Sequence, residues 1–368
     1  MKRPVPLTVL TGFLGAGKTT LLNALLKDPA LAGTAVIINE FGDIGLDHLL
    51  VSASEDGIIE LSSGCLCCTI RGRLATTLED LLRALDNRRI PRLDRVVVET
   101  TGLADPAPVL QSVLLHPYLA LRYRLDGVVT VVDAVNGAHT IAAHIEAARQ
   151  IAVADRIVLT KTEMSEADPA ITTAIRTLNR AAPILATADG EATVSSLFDS
   201  QPAKDGIATA REWLAAEAED SGPRHDRAHG HDHAHDISRH DARIRSFTAI
   251  RATPIGRGAL ESFLERLVHD HGSHLLRVKG LVLTADDPGR PLVVQAAQTI
   301  FHPPQRLPAW PSEDHRSRLV LIVDDLAREA ETAIKAAFSD LPSTDQADAE
   351  TLADNPLAIA GFSGRFAR

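Results

Sequence analysis

Along the first two hundred positions, short runs of β-branched and aliphatic residues alternate with longer stretches in which apolar residues return every third or fourth position. The short runs predict buried strands and the longer stretches amphipathic helices. On this reading strands fall at 7–10, 35–38, 95–98, 127–132, 156–159 and 183–186, with helices at 18–26, 73–85, 141–151 and 169–178. Such alternation predicts an α/β domain over residues 1–216, built on a mostly parallel sheet wrapped by helices. Residues 217–242 change character, with His, Asp, Arg, Gly and Ala and scarcely a large apolar side chain, so they predict a linker with no core of its own. Apolar periodicity returns over 243–338, with strands expected at 247–251, 281–284, 292–296 and 319–323 and helices at 258–268 and 325–338. That pattern predicts a smaller α+β domain. Residues 339–368 read as a loosely ordered tail.

Composition narrows the picture. Of 368 residues 45% are hydrophobic, enough for two cores, and the net charge of -10 argues against a nucleic-acid partner, which needs a basic face. No apolar run approaches the roughly 18 residues of a membrane span, so no membrane partner is expected. Lys2 and Arg3 precede an apolar stretch that runs straight into a glycine-rich turn without a small-residue cleavage site, which predicts a first strand rather than a leader. The three cysteines lie within four positions, too close to brace distant parts of a fold, a pattern that suits a reducing cytoplasm.

The chemistry begins at Gly12-Phe13-Leu14-Gly15-Ala16-Gly17-Lys18-Thr19, which fits G-x-x-x-x-G-K-[ST] between a predicted strand and a predicted helix. Gly12, Gly15, Ala16 and Gly17 supply turning backbone, Lys18 a charge for the β- and γ-phosphates, and Thr19 a hydroxyl for Mg2+. This predicts a P-loop NTPase domain. The strand at 95–98 leads to Glu99, which is placed to hold Mg2+ directly or through water, and Gly102 follows three residues later with a backbone N–H for the γ-phosphate. Lys18, Thr19 and Glu99 are thus the candidates for turnover. Thr160, Lys161 and Glu163 follow the strand at 156–159 where GTPases carry [NT]-K-x-D. Glu163 replaces the usual Asp, keeping the charge but moving it by one methylene, and GTP is expected over ATP. No residue matches the water-positioning glutamine of other GTPases.

Cys65, Cys67 and Cys68 crowd three thiols onto one short segment after Gly64. Thiolates so spaced can converge on one soft ion such as Zn2+ at about 2.3 Å and leave a fourth position open. The bland alternative is three small buried residues. Six histidines, His225, His229, His231, His233, His235 and His240, lie in the polar linker and predict a loose metal-collecting segment, against the alternative of a merely solvated one. His269, His271 and His274 are expected to be ordinary surface residues.

Together these segments resemble the CobW-like family of P-loop GTPases. The resemblance rests on the phosphate loop through Thr20, on Cys65, Cys67 and Cys68, and on Ile38-Asn39-Glu40-Phe41-Gly42-Asp43-Ile44-Gly45-Leu46-Asp47. It rests further on Glu99-Thr100-Thr101-Gly102-Leu103-Ala104-Asp105-Pro106 and on Arg277-Val278-Lys279-Gly280. It implies slow GTP hydrolysis, Zn2+ or alternatively Co2+ bound at the cysteines with Glu40 completing or sharing the shell, and delivery of the metal to a client metalloprotein. Asp43 stands where many relatives carry Glu, which weakens any role for it. Relatives tied to cobalamin synthesis or nitrile hydratase share the motifs, so cobalt or iron insertion stays an alternative. Two other classes remain open: a P-loop kinase, and a non-enzymatic metal buffer with a structural nucleotide.

Overall fold

The computed structural model describes residues 3–39, 70–164, 169–198, 243–302 and 304–344. Six strands form the first sheet: β1 (Val5–Gly12), β2 (Thr34–Asn39), β3 (Arg95–Thr100), β4 (Tyr123–Asp133), β5 (Arg156–Thr160) and β6 (Ile184–Ala186). Their order is β2-β3-β1-β4-β5-β6 and every pairing is parallel. Around them lie α1 (Lys18–Leu25), α2 (Ile70–Asp86), α3 (Ala107–Leu114), α4 (Leu119–Arg122), α5 (Gly137–Ala143), α6 (Ile145–Ala152), α7 (Pro169–Leu178) and α8 (Val194–Leu197).

Because successive strand side chains point to opposite faces, β4 divides its valines between two cores. Val129 and Val131 pack with Leu21, Leu22 and Leu25 of α1, whereas Val128 and Val132 pack with Ile141 of α5 and Ile151 of α6. A parallel sheet buried on both faces needs such unbroken apolar runs, and all six residues of β3 are buried, the terminal carboxylate of Glu99 among them.

The second sheet is antiparallel, as the separate α+β unit predicts. It comprises β7 (Ile244–Arg251), β8 (Leu275–Val282), β9 (Leu292–Ala297), β10 (Ile300–Phe301), β11 (Gln305–Arg306) and β12 (Ser317–Asp324). The order is β10-β9-β8-β12-β7, with β11 beside β9. Two helices, α9 (Arg257–His271) and α10 (Arg328–Ser339), share its core through Leu260, Phe263, Leu267, Ile334 and Phe338. Ile244, Leu276, Ala297 and Ile322 instead join the core of the first domain, so the two sheets are packed together through side chains of β7, β8, β9 and β12.

The elements α3, α4, α8, β10 and β11 stand where none is expected, and two of the expected elements take a different form. The helix expected at 141–151 is two helices, α5 and α6, separated by His144 in an extended conformation (φ -129°, ψ 116°) with its ring stacked on Phe13 at 4.5 Å. The strand expected at 281–284 starts six residues earlier, at Leu275. Arg277 and Lys279 hide it from an apolar pattern, yet both are drawn into the domain interface by Asp155. Arg277 Nη1 donates to the Val153 carbonyl at 2.5 Å and Nη2 to Asp155 Oδ1, while Lys279 Nζ lies 3.3 Å from the same oxygen. Asp155 Oδ2 accepts the Val128 N–H at 2.9 Å. Burial opposes the Asp155 charge, but Arg277 and Lys279 outweigh it and hold the carboxyl far below its usual range.

Candidate nucleotide-binding site

The glycine-rich loop occupies the turn between β1 and α1, as its motif requires. Gly12 has φ 145°, and a Cβ there would lie 2.2 Å from the Val131 carbonyl oxygen, so any side chain would force β1 from β4. Gly15 and Gly17 also have left-handed φ values, 74° and 90°. Gly17 caps α1 with no side-chain hydrogen bond, and the first turn of the helix carries no acid. The N–H groups of this turn thus face no competing carboxylate from their own helix, the condition for meeting a phosphate.

Lys18 is buried and its ammonium folds back over the loop, donating to the carbonyls of Gly12 at 2.9 Å and Phe13 at 3.2 Å. Burial lowers its pKa, and Glu99 opposes the shift by favouring the charged form. The Thr19 hydroxyl donates to Glu99 Oε1 at 2.6 Å. Glu99 reaches this point because β3 lies next to β1, a neighbour relation held further by the Thr100 to Thr11 hydroxyl bond at 2.8 Å. Gly102 then runs against the loop itself, for a Cβ there would stand 2.5 Å from the Leu14 backbone nitrogen and 2.7 Å from its Cα. Thr20 is exposed on α1.

On the other side, β5 brings up the expected base-reading segment. The Thr160 hydroxyl donates to the Ala16 carbonyl at 2.6 Å and so ties β5 to the phosphate loop. Lys161, at φ 61°, turns its ammonium to Asp133 Oδ2 at 2.6 Å. Burial raises the Asp133 pKa, but the Lys161 bond and the N–H groups of Val135 and Asn136 hold it below its usual value. Glu163 is exposed in the turn that follows. Behind the loop, on the α5 and α6 side of the sheet, lies a cavity of 240 Å³ lined by Phe13, Val132, Asn136, Ile141, Gln150 and Lys161 among others.

Residues 6–186 match the CobW/HypB/UreG nucleotide-binding domain, and residues 244–341 match the C-terminal domain of the cobalamin synthesis protein CobW. The zinc chaperone YjiA of Escherichia coli K12 is 33% identical over 338 residues, which cover 92% of this chain and 99% of that protein. The chain belongs to the CobW family. The zinc-regulated GTPase metalloprotein activator 1 of Schizosaccharomyces pombe is a further relative, 31% identical over 88% of this chain and 84% of that protein. Among solved structures, the crystal structure of Zn(II)-bound YjiA GTPase from E. coli superposes with a TM-score of 0.64, at 31% identity over 93% of this chain and 100% of that one. This CobW-family chain is accordingly a P-loop NTPase of the GTPase type.

Of the residues singled out in the sequence, the fold gathers Gly12, Gly15, Ala16, Gly17, Lys18, Thr19, Glu99, Gly102, Thr160 and Lys161 around one strand-to-helix turn, while Glu163 is exposed in the turn that follows β5. Cys65, Cys67, Cys68, Glu40 and Asp43 and the six histidines of the linker lie outside the described residues. Among the described residues, no three His, Cys, Asp or Glu side chains are grouped to hold a metal ion, and no helix is long and apolar enough to cross a membrane.

Two residues of this CobW-family site, Asp133 and Gln150, are not singled out by the sequence. Asp133 directly follows the strand expected at 127–132, the edge where α/β sites collect, and that position is its signal. Gln150 was only a polar residue amid the alanines and isoleucines of a helix. Asp105 stands in the Glu99-to-Pro106 segment that carries the family resemblance, with no role attached to it there. It accepts the Ala107 N–H at the start of α3 and receives Gln298 Nε2 from the second domain at 3.2 Å. Gln298 has φ 52° in the two-residue turn between β9 and β10, and from that turn the neighbouring domain touches the loop after Gly102.

Proposed function

We propose that this chain is a GTP-hydrolysing metallochaperone that takes up zinc, or a similar divalent metal, at Cys65, Cys67 and Cys68 with Glu40, and passes it to a client metalloprotein under nucleotide control. The observation that carries the nucleotide half is the Thr19 to Glu99 contact at 2.6 Å. A hydroxyl and a carboxylate meet there at the open N-terminus of α1, beside a lysine whose ammonium rests on the loop's own carbonyls. Two hard oxygen donors of this kind fit Mg2+, which when bound neutralises charge on the β- and γ-phosphates.

Lys18 exchanges the carbonyls of Gly12 and Phe13 for phosphate oxygens, and Gly102 offers a backbone N–H to the γ-phosphate. Glu163 reads the guanine N–H groups, while Lys161, fixed by Asp133, lines the base. Turnover is slow, for the sequence carries no match to the water-positioning glutamine of other GTPases. The metal half is supported by the nearly full-length similarity to proteins named zinc chaperone and zinc-regulated GTPase metalloprotein activator. Three thiolates leave the ion a fourth position, which Glu40 shares transiently and a client ligand can take over, and a reducing cytoplasm keeps those thiols free.

The test is a Co2+ titration of wild type and a triple Cys→Ser variant, with a GTP analogue, with GDP and without nucleotide. Phosphate release from GTP and ATP is measured alongside for wild type and Lys18→Ala. Charge-transfer bands lost in the triple variant, a nucleotide-dependent midpoint and GTP turnover lost in Lys18→Ala are expected. Coincident midpoints in all three states would remove nucleotide control, since a ligand without differential affinity shifts nothing.

A further inference from the structure

Gln150 is 1% exposed, in a helix whose other buried residues are Ala147, Ala148, Ile151 and Ala152. A glutamine there loses its hydration and its rotamer freedom, whereas an aliphatic side chain would lose only the latter. What it gains is a grip on one loop. Its amide nitrogen donates to the Gly102 carbonyl at 3.1 Å and to the Ala104 carbonyl at 3.0 Å. Both partners are acceptors, which fixes the end of the amide that faces them. The backbone of Gln150 is itself anchored, its carbonyl accepting the Thr130 hydroxyl of β4 at 2.7 Å. Its Oε1 is buried without a hydrogen-bond partner among the described residues, and the side chain lines the 240 Å³ cavity behind the phosphate loop.

The loop from Gly102 to Ala104 is therefore held from two sides. Leu14 of the phosphate loop abuts Gly102 closely enough to exclude a Cβ, and Gln150 binds two carbonyls from the α6 side. A peptide plane with its carbonyl bound has its orientation set, because the unit is rigid. We propose that Gln150 is the positioning residue that holds the Gly102 loop in register with the phosphate loop and thereby sets the preference of the site for triphosphate over diphosphate. This rests on the reading that Gly102 meets the γ-phosphate. A diphosphate makes no demand on that loop. Loss of Gln150 thus weakens GTP binding and turnover while leaving GDP binding in place, a signature that general destabilisation does not produce.

The experiment uses the full chain. Fluorescent GDP and a non-hydrolysable GTP analogue are titrated into wild type, Gln150→Leu, Gln150→Glu and Lys18→Ala, with kcat, KM and urea midpoints measured in parallel. Gln150→Leu keeps the volume but leaves two buried carbonyls unmet. The expected result is an analogue affinity and a kcat lowered roughly 10- to 100-fold, with GDP affinity changed less than about threefold. Should Gln150→Leu fail to fold, Gln150→Glu still decides. Its carboxyl can donate to one carbonyl only when protonated, so its triphosphate preference, taken relative to wild type at each pH to cancel the titration of the nucleotide phosphates, must recover as pH falls. Equal loss of both nucleotides in Gln150→Leu, or a Gln150→Glu preference that relative to wild type is independent of pH, overturns the proposal. Lys18→Ala separates this from the site assignment. If it binds both nucleotides as wild type does, the phosphate site itself is misassigned; if it loses them while the Gln150 variants keep the wild-type preference, only the role of Gln150 is wrong.

Discussion

Asp155→Ala tests how the second domain is fastened to the first. The carboxylate accepts the Val128 N–H through one oxygen and faces Arg277 and Lys279 with the other. Deletion leaves two cations in the interface, Arg277 only 6% exposed, and strips a backbone donor of its acceptor. Breaking a buried pair from one side costs about 3–5 kcal/mol, most of it the desolvation of the charge left behind. The unmet N–H alone is worth about 1–3 kcal/mol, and the two terms overlap rather than add. We therefore expect a loss of about 4 kcal/mol, a large fraction of the roughly 5–15 kcal/mol that holds a domain together. Asp155→Asn retains an acceptor for Val128 and should lose less. Lys279 carries an internal check, since burial and Arg277 already push its pKa down to about 8 despite Asp155. Lys279→Met in the Asp155→Ala background should accordingly restore part of the loss. Urea unfolding followed by far-ultraviolet circular dichroism measures all four proteins. A loss below about 1 kcal/mol, or no recovery in the double variant, would show that the interface owes its stability to Ile244, Leu276, Ala297 and Ile322 instead.

Three other expectations follow from named contacts. His302 is pushed down to about 4 by burial, with Arg277 and Lys279 adding to the shift and Asp155 opposing it. The unfolded chain therefore binds this proton near pH 6.5 and the folded one near 4, so stability should fall as pH drops through that window, by on the order of 3 kcal/mol at most; a His302→Leu variant with the wild-type slope in urea midpoints between pH 6.5 and 4 would sink the argument. Gly102→Ala puts a methyl against the Leu14 backbone and should cut GTP turnover at least tenfold, with overpacking of about 1–3 kcal/mol; phosphate release at the wild-type rate would mean that the loop yields freely. Phe338→Ala empties a fully buried position of the second core, beside Phe263 at 5.5 Å between ring centroids. It should cost about 3–5 kcal/mol in urea unfolding, and a change below 1 kcal/mol would contradict the burial.

Periodicity and local chemistry determined the scaffold from the sequence alone. Unbroken runs such as Val96-Val97-Val98 can be buried only in a strand covered on both faces, and Gly12-to-Thr19 carries its own turn, so the sheet, its alternating helices and the phosphate loop were legible without neighbours. Likewise Glu99 and Lys161 could be placed, because each follows an apolar strand directly and the ends of parallel strands share one edge. The tertiary structure decided whatever depends on a partner far along the chain. Arg277 and Lys279 interrupt an apolar pattern and conceal β8, and only Asp155, 122 residues before Arg277, makes their burial possible. His144 divides a helix that spacing alone would continue, its ring lying on Phe13 of the phosphate loop. Gln150 reads as one more helical side chain until the fold sets it against the carbonyls of Gly102 and Ala104, 48 and 46 residues earlier. Local sequence encodes propensity and burial pattern, whereas the burial of a charge or an amide is decided by whether the fold delivers a counterion or an acceptor to the same point.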